Sequence, residues 1–132
     1  MKLLINLLLV FVCSSLLAQN TALINELEPP KDFENIFVKQ VSNDSLQTSF
    51  VIWVKHGVKN HFHAEHTENI YVLSGKAEMT LGEESFIVRK GDFITIPMGV
   101  HHSVTKVFGR KPLKVLSIQS PRFTGVDRVF VD

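Results

Sequence analysis

The stretch "KAEMTLGEESFIVRKGDFITIP", residues 76–97, alternates apolar and polar side chains in short runs, and turn signals interrupt it twice. In "KAEMTL" Ala77, Met79 and Leu81 point one way while Glu78 and Thr80 point the other, which is the two-residue period of a half-buried strand. "GEE" turns the chain, "SFIVR" alternates again, "KGD" turns it once more and "FITIP" follows. The same texture runs through "FENIFVKQV", "LQTSFVIWV", "NIYVLSG", "HHSVTKV", "LKVLSIQ" and "RVFV". Eight or nine short strands with no helical interlude predict an all-β sandwich or barrel. "LQTSFVIWV" becomes apolar on both faces, so it is expected to be buried on both sides, within a sandwich or at a homodimer contact. At 132 residues there is room for a single domain.

The N-terminus reads differently. "MKLLINLLLVFVCSSLLAQN" has one Lys, an apolar stretch and a small residue before polar chain, the layout of a secretory signal peptide. Its apolar part is shorter than the roughly 20 residues a membrane-spanning helix needs. Residues 1–18 are therefore expected to be a leader cut after Ala18, and no stable membrane insertion is expected once it is removed. A lipoprotein anchor at Cys13 is the alternative, weakened by the bulky Val12 before it. Residues 19–32, with Pro29 and Pro30, read as an N-terminal arm or linker, and residues 33–132 as the domain. The location that follows is exported, either periplasmic or secreted.

Cleavage at Ala18 would remove the one Cys and Lys2, leaving 13 basic residues against 13 acidic ones. No disulfide or thiolate chemistry is then available, and a metal would need N and O ligands. The balanced charge gives no electrostatic case for nucleic acid.

"HFHAEHTENIYVLSG", residues 61–75, sets three histidines and two glutamates against a strand. If the chain is extended there, His61 and His63 leave the same face and form a two-imidazole platform. Two solvated histidines on an edge strand are the alternative. Glu68 opens the next strand, and a hairpin could return its carboxylate to the imidazoles. About thirty residues on, "GDFITIPMGVHH" sets Gly91, Pro97 and Gly99 ahead of the adjacent pair His101 and His102, of which only one can face inward.

These two stretches resemble the two motifs of the cupin superfamily, specifically its small single-domain members. The first motif, G-x5-H-x-H-x3,4-E-x6-G, is met by His61, His63, Glu68 and Gly75, with three residues instead of five between Gly57 and His61. The second, G-x5-P-x-G-x2-H-x3-N, is met by Gly91, Pro97, Gly99 and His102, with Lys106 where the motif has Asn. The resemblance covers roughly residues 50–120 and implies a jelly-roll β-barrel holding one divalent metal ion. The ligands it implies are His61, His63, Glu68 and His102, with His101 turned outward and His66 not a ligand. Glu65 is the alternative carboxylate if the register slips. Three imidazoles and a carboxylate suit Fe, Mn, Ni, Cu, Co or Zn.

The fold alone does not choose a reaction. The resemblance implies a small metalloenzyme of oxygenase or isomerase/lyase type acting on a small polar molecule, or else a non-catalytic module that binds a metal or small ligand. Lys106 shares the parity of His102, so on an unbroken strand it would face the barrel; the competing reading places it at the mouth, reaching solvent. Tyr71 is expected outside the cavity, and Trp53 in the core or at a dimer contact.

Overall fold

The computed structural model describes residues 23–131; the expected leader, residues 1–18 with Cys13, lies outside them. After a short 3-10 turn at Ile24–Glu26 come ten strands: β1 Ile36–Asn43, β2 Thr48–Val54, β3 Val58–His63, β4 Thr67–Ser74, β5 Lys76–Leu81, β6 Glu84–Arg89, β7 Phe93–Ile96, β8 His102–Val107, β9 Leu113–Ser120 and β10 Arg128–Phe130. They form two five-stranded antiparallel sheets, ordered β1-β2-β9-β4-β7 and β10-β3-β8-β5-β6. Nine of the ten match the apolar alternation of the sequence. The tenth, β3, carries the His61/His63 pair and is extended, as the platform requires.

The sheets pack face to face, since one apolar cluster joins Val54, Val72, Ile94, Ile96, Leu113 and Val115 of the first sheet to Ala77, Met79 and Val88 of the second. Along most strands alternate residues enter this interior, the arrangement the two-residue period demands. The fold is therefore the expected all-β jelly-roll barrel.

Strand β2 is buried on both faces. Its outward residues Val51 and Trp53 are 0% and 3% exposed within one chain. Part of the cover is the segment before β1. Lys114 lies 5.3 Å from the Trp53 ring centroid and donates through Nζ to the carbonyls of Ile24 and Leu27, at 2.8 and 2.7 Å. The described part of the expected arm is thus docked on the barrel, and the apolar surface on which the dimer expectation rests is already covered. Trp53 belongs to this packing, and Tyr71 is exposed outside the cavity. Among the described residues no helix is long and apolar enough to cross a membrane.

Gly57 lies where the chain crosses closest to β8. A Cβ there would stand 2.5 Å from the Val104 carbonyl oxygen, a contact only glycine avoids. Replacing Gly57 by Ala should destabilise the fold by about 1–3 kcal/mol, the usual cost of overpacking. Urea unfolding followed by tryptophan fluorescence would read this, and an unchanged midpoint would mean that the loop can move off β8.

Candidate metal centre

His61, His63, Glu68 and His102 are all buried, between 1% and 4% exposed. Each is placed by a different local device. His61 and His63 are alternate residues of β3, and His61 pairs directly with His102 of β8. The tight turn before β8 has Gly99 at φ +77°, a left-handed conformation that favours glycine, and the Gly99 N–H donates to the His63 carbonyl at 2.8 Å. That bond ties the second motif to the first. Glu68 enters from the opposite sheet on β4, beside Gln119 of β9.

The three histidines each offer a nitrogen, and these nitrogens lie within 4.8 Å of one another. The Nδ1 atoms of His61 and His102 face the carbonyls of Lys59 and Val100 at 2.8 and 3.2 Å. A carbonyl only accepts, so each Nδ1 carries the proton and each Nε2 presents a lone pair. The Nε2 of His102 faces Glu68 Oε2 at 3.3 Å, and the Nε2 of His63 faces the same oxygen at 3.2 Å. Glu68 Oε1 is engaged on its other side by the Ser117 hydroxyl and by the Gln119 amide at 3.3 Å. Acceptors thus face one another across a buried space, which a divalent cation between them would resolve. The donor set of three imidazole nitrogens and one carboxylate oxygen fits such an ion.

The protonation states agree with that fit. Burial, reinforced by the neighbouring His102, pushes His61 down to about 4, so it is neutral at physiological pH, as a ligand must be. Burial pushes the Glu68 carboxyl upward, but the His102 and His63 imidazoles, when a proton lies between either ring and Oε2, and the Ser117 hydroxyl outweigh it and hold the group well below the usual carboxylate range.

One participant left no signal in the sequence. Asp127, 3% exposed, sets Oδ2 3.3 Å from His63 Nδ1, an atom that is otherwise buried without a hydrogen-bond partner. Asp127 is itself held: its Oδ1 accepts the Glu65 N–H at 2.7 Å, and its Oδ2 faces His66 Nδ1. The other His66 nitrogen lies 3.0 Å from the Arg122 carbonyl. Burial opposes charge on His66, but the Arg122 carbonyl and the Asp127 carboxylate overcome this and raise it. Asp127 is lowered in turn, because His66 and the Glu65 N–H outweigh its burial. His66 is therefore a clamp on Asp127, outside the three-histidine cluster, and Glu65 contributes its backbone rather than its carboxylate.

The remaining positions sort themselves by strand geometry. His101 is exposed and its ring stacks on Phe62, centroids 5.1 Å apart and planes at 7°. Lys106 is exposed and faces away from the cavity, because β8 carries an extra residue at Thr105. Met79 pairs with Val104 but Glu78 pairs with Lys106, so parity counted along an unbroken strand fails there. The centre faces a cavity with about 60 Å³ of water-accessible space, walled mainly by Val, Ile, Leu and Met, with His61, Glu68, His102, Ser103 and Arg128 as its polar edge.

Two outcomes follow. Asp127→Asn should weaken metal binding roughly 10- to 100-fold while leaving the barrel folded, the usual effect of removing the carboxylate behind a ligating His; competition against a chromogenic chelator measures it. In chelated, metal-free protein, acidification should lower stability between pH 6.5 and about 4, because the unfolded chain protonates His61 first while the folded chain resists until about 4. The loss is on the order of 3 kcal/mol at the acid end. The His66 contribution has the opposite sign: present below its unfolded value, it fades as pH rises through its raised folded value. Urea midpoints across pH for the parent and His61→Asn separate the two, since only the His61 component disappears in the variant.

Comparison with known proteins agrees with this architecture. The family described as Cupin domain matches residues 49–119. An uncharacterized protein of Methanocaldococcus jannaschii is 32% identical over 113 residues, covering 84% of this chain and 82% of that one. Quercetin 2,3-dioxygenase of Bacillus subtilis is 44% identical over 43 residues, which is 33% of this chain and 13% of that enzyme. Among solved structures the Streptomyces nucleoside dehydratase Pac13 superposes with a TM-score of 0.63 at 21% identity, over 75% of this chain and 82% of its own. A family domain matched over more than half the chain, a relative matched along most of its length, and two facing sheets with inward histidines together make this chain a member of the cupin family.

Proposed function

We propose that the chain is a small metalloenzyme of the oxygenase type, with His61, His63, Glu68 and His102 holding one divalent redox metal. One observation carries the reading: three imidazoles and a carboxylate converge, buried, and of these His61, His102 and Glu68 line a cavity that is otherwise mainly apolar. Such a wall suits O₂ and the reacting end of a small substrate held against the centre. A bound ion of this kind supplies Lewis acidity and, if redox-active, electron transfer to oxygen.

The chain's own residues divide the remaining work. The Lys59 and Val100 carbonyls fix two imidazoles, Asp127 backs the third, Ser117 and Gln119 fix Glu68, and the apolar wall limits water. Glu68, His61, His102 and Arg128 are the ionisable groups among the described residues lining the cavity. With no acid or base there beyond the ligands and an arginine, oxygenase chemistry is favoured over an isomerase or lyase, which would need Glu68 to leave the metal and serve as the base. A similarity to a dioxygenase over one third of this chain is compatible with that choice. Export of the mature chain, to the periplasm or outside the cell, completes the proposal and rests on the leader sequence.

Elemental mass spectrometry on untagged protein tests it. About one equivalent of Fe, Mn, Ni, Cu or Co is expected, lost in His61→Ala and His102→Ala. Metal content that ignores both substitutions would overturn the ligand assignment. Zinc that no redox metal displaces on reconstitution would move the reading to isomerase/lyase chemistry or to a binding module.

A further inference from the structure

Beyond the metal cavity the barrel widens into an outer hollow of about 580 Å³. Val38, Ile52 and Arg128 line both spaces, so the hollow and the cavity share a neck. Three features of that neck belong together. Arg128 pairs in register with His63 on the strand beside the ligands, its side chain is exposed, and no carboxylate among the described residues forms an ion pair with it. Aromatic rings surround the hollow: Phe50 and Phe123 meet edge to face at 5.8 Å, and Phe130, 58% exposed, has its ring centroid 5.8 Å from that of His61. Val126, also on the rim, is 90% exposed. Exposed apolar side chains gathered around an unpaired guanidinium mark a recognition site rather than a packing surface.

The size difference fixes how a ligand would lie. About 60 Å³ inside accommodates a few atoms, whereas the hollow takes a ring. We propose that the substrate is a small carboxylic acid with an aromatic or comparably flat apolar body. Its body rests among Phe50, Phe123 and Phe130, and its carboxylate pairs with Arg128 at the neck, beside the metal centre. A planar guanidinium matches a carboxylate with two parallel hydrogen bonds, which an ammonium does not reproduce. This inference rests on the enzyme reading for the reaction but not for the binding step, which needs only the neck.

The test is calorimetric titration of metal-loaded protein with benzoate, beside benzamide as its uncharged match and acetate as the carboxylate without a ring. Metal content is determined on every sample. Benzoate should bind, benzamide and acetate should bind at least about 10-fold more weakly, and added salt should weaken benzoate. Arg128→Gln should retain its metal yet lose roughly 10- to 100-fold in benzoate affinity, as expected for a lost charge-assisted pair, with Arg128→Lys recovering only part of it. Equal binding of benzoate to the parent and a metal-loaded Arg128→Gln, equal binding of benzamide, or no benzoate binding by the parent would each overturn the proposal while leaving the metal centre standing. Metal-free parent protein that still bound benzoate through Arg128 would support the neck site independently of the enzyme reading.

Discussion

Everything around the centre serves one electrostatic constraint: Oε2 of Glu68 faces the Nε2 atoms of both His63 and His102 where water is scarce. Buried lone pairs directed at one another are unfavourable unless a proton or a cation lies between them. The surroundings make this arrangement persist by engaging the far side of each group. The Lys59 and Val100 carbonyls occupy two imidazole Nδ1 atoms, and the Ser117 hydroxyl and Gln119 amide occupy Glu68 Oε1. With the outward atoms committed, the inward atoms have one orientation left, so the donor set is preorganised before an ion arrives.

The same constraint explains what the sequence reveals. Inward positions of most strands are filled by Val, Ile, Leu, Met or Ala, so nine strands announce themselves by alternation. In β3 the buried residues are His61 and His63, and "VKNHFH" has no apolar rhythm to detect. Chemistry has replaced hydrophobicity on that face, and the periodic signal disappears where function begins. What remains legible is spacing. His-x-His on an extended chain, a Glu at the start of the next strand, and a glycine turn before one of two adjacent histidines are local facts. Backbone geometry converts them into a three-dimensional cluster.

Asp127 and Arg128 were illegible for the complementary reason. Their roles arise because β10 pairs with β3, setting Arg128 opposite His63 across more than half of the described chain. No local pattern in "VDRVF" specifies that pairing, since two acidic or basic residues near a chain end usually belong to a solvated surface. Lys106 illustrates the limit of parity itself. A single extra residue in β8 at Thr105 turns Lys106 away from the cavity, and bulges of this kind depend on the partner strand rather than on the strand's own sequence.

The closing segment therefore joins two functions through consecutive residues. Asp127 backs a candidate ligand from outside the cluster, and Arg128 presents its charge at the neck of the cavity. A ligand drawing on Arg128 would pull on a backbone whose preceding residue is clamped by His66, by the Glu65 N–H and by the Ala64 N–H, which donates to the Asp127 carbonyl. Those clamps hold Asp127 to the same loop that links His63 to Glu68. Strain at the neck is thus met by rigid groups on one side and by exposed, loosely packed apolar residues such as Val126 and Phe130 on the other. The rim is therefore the less constrained side of the neck, and the geometry of the three imidazoles and the carboxylate is held by the other.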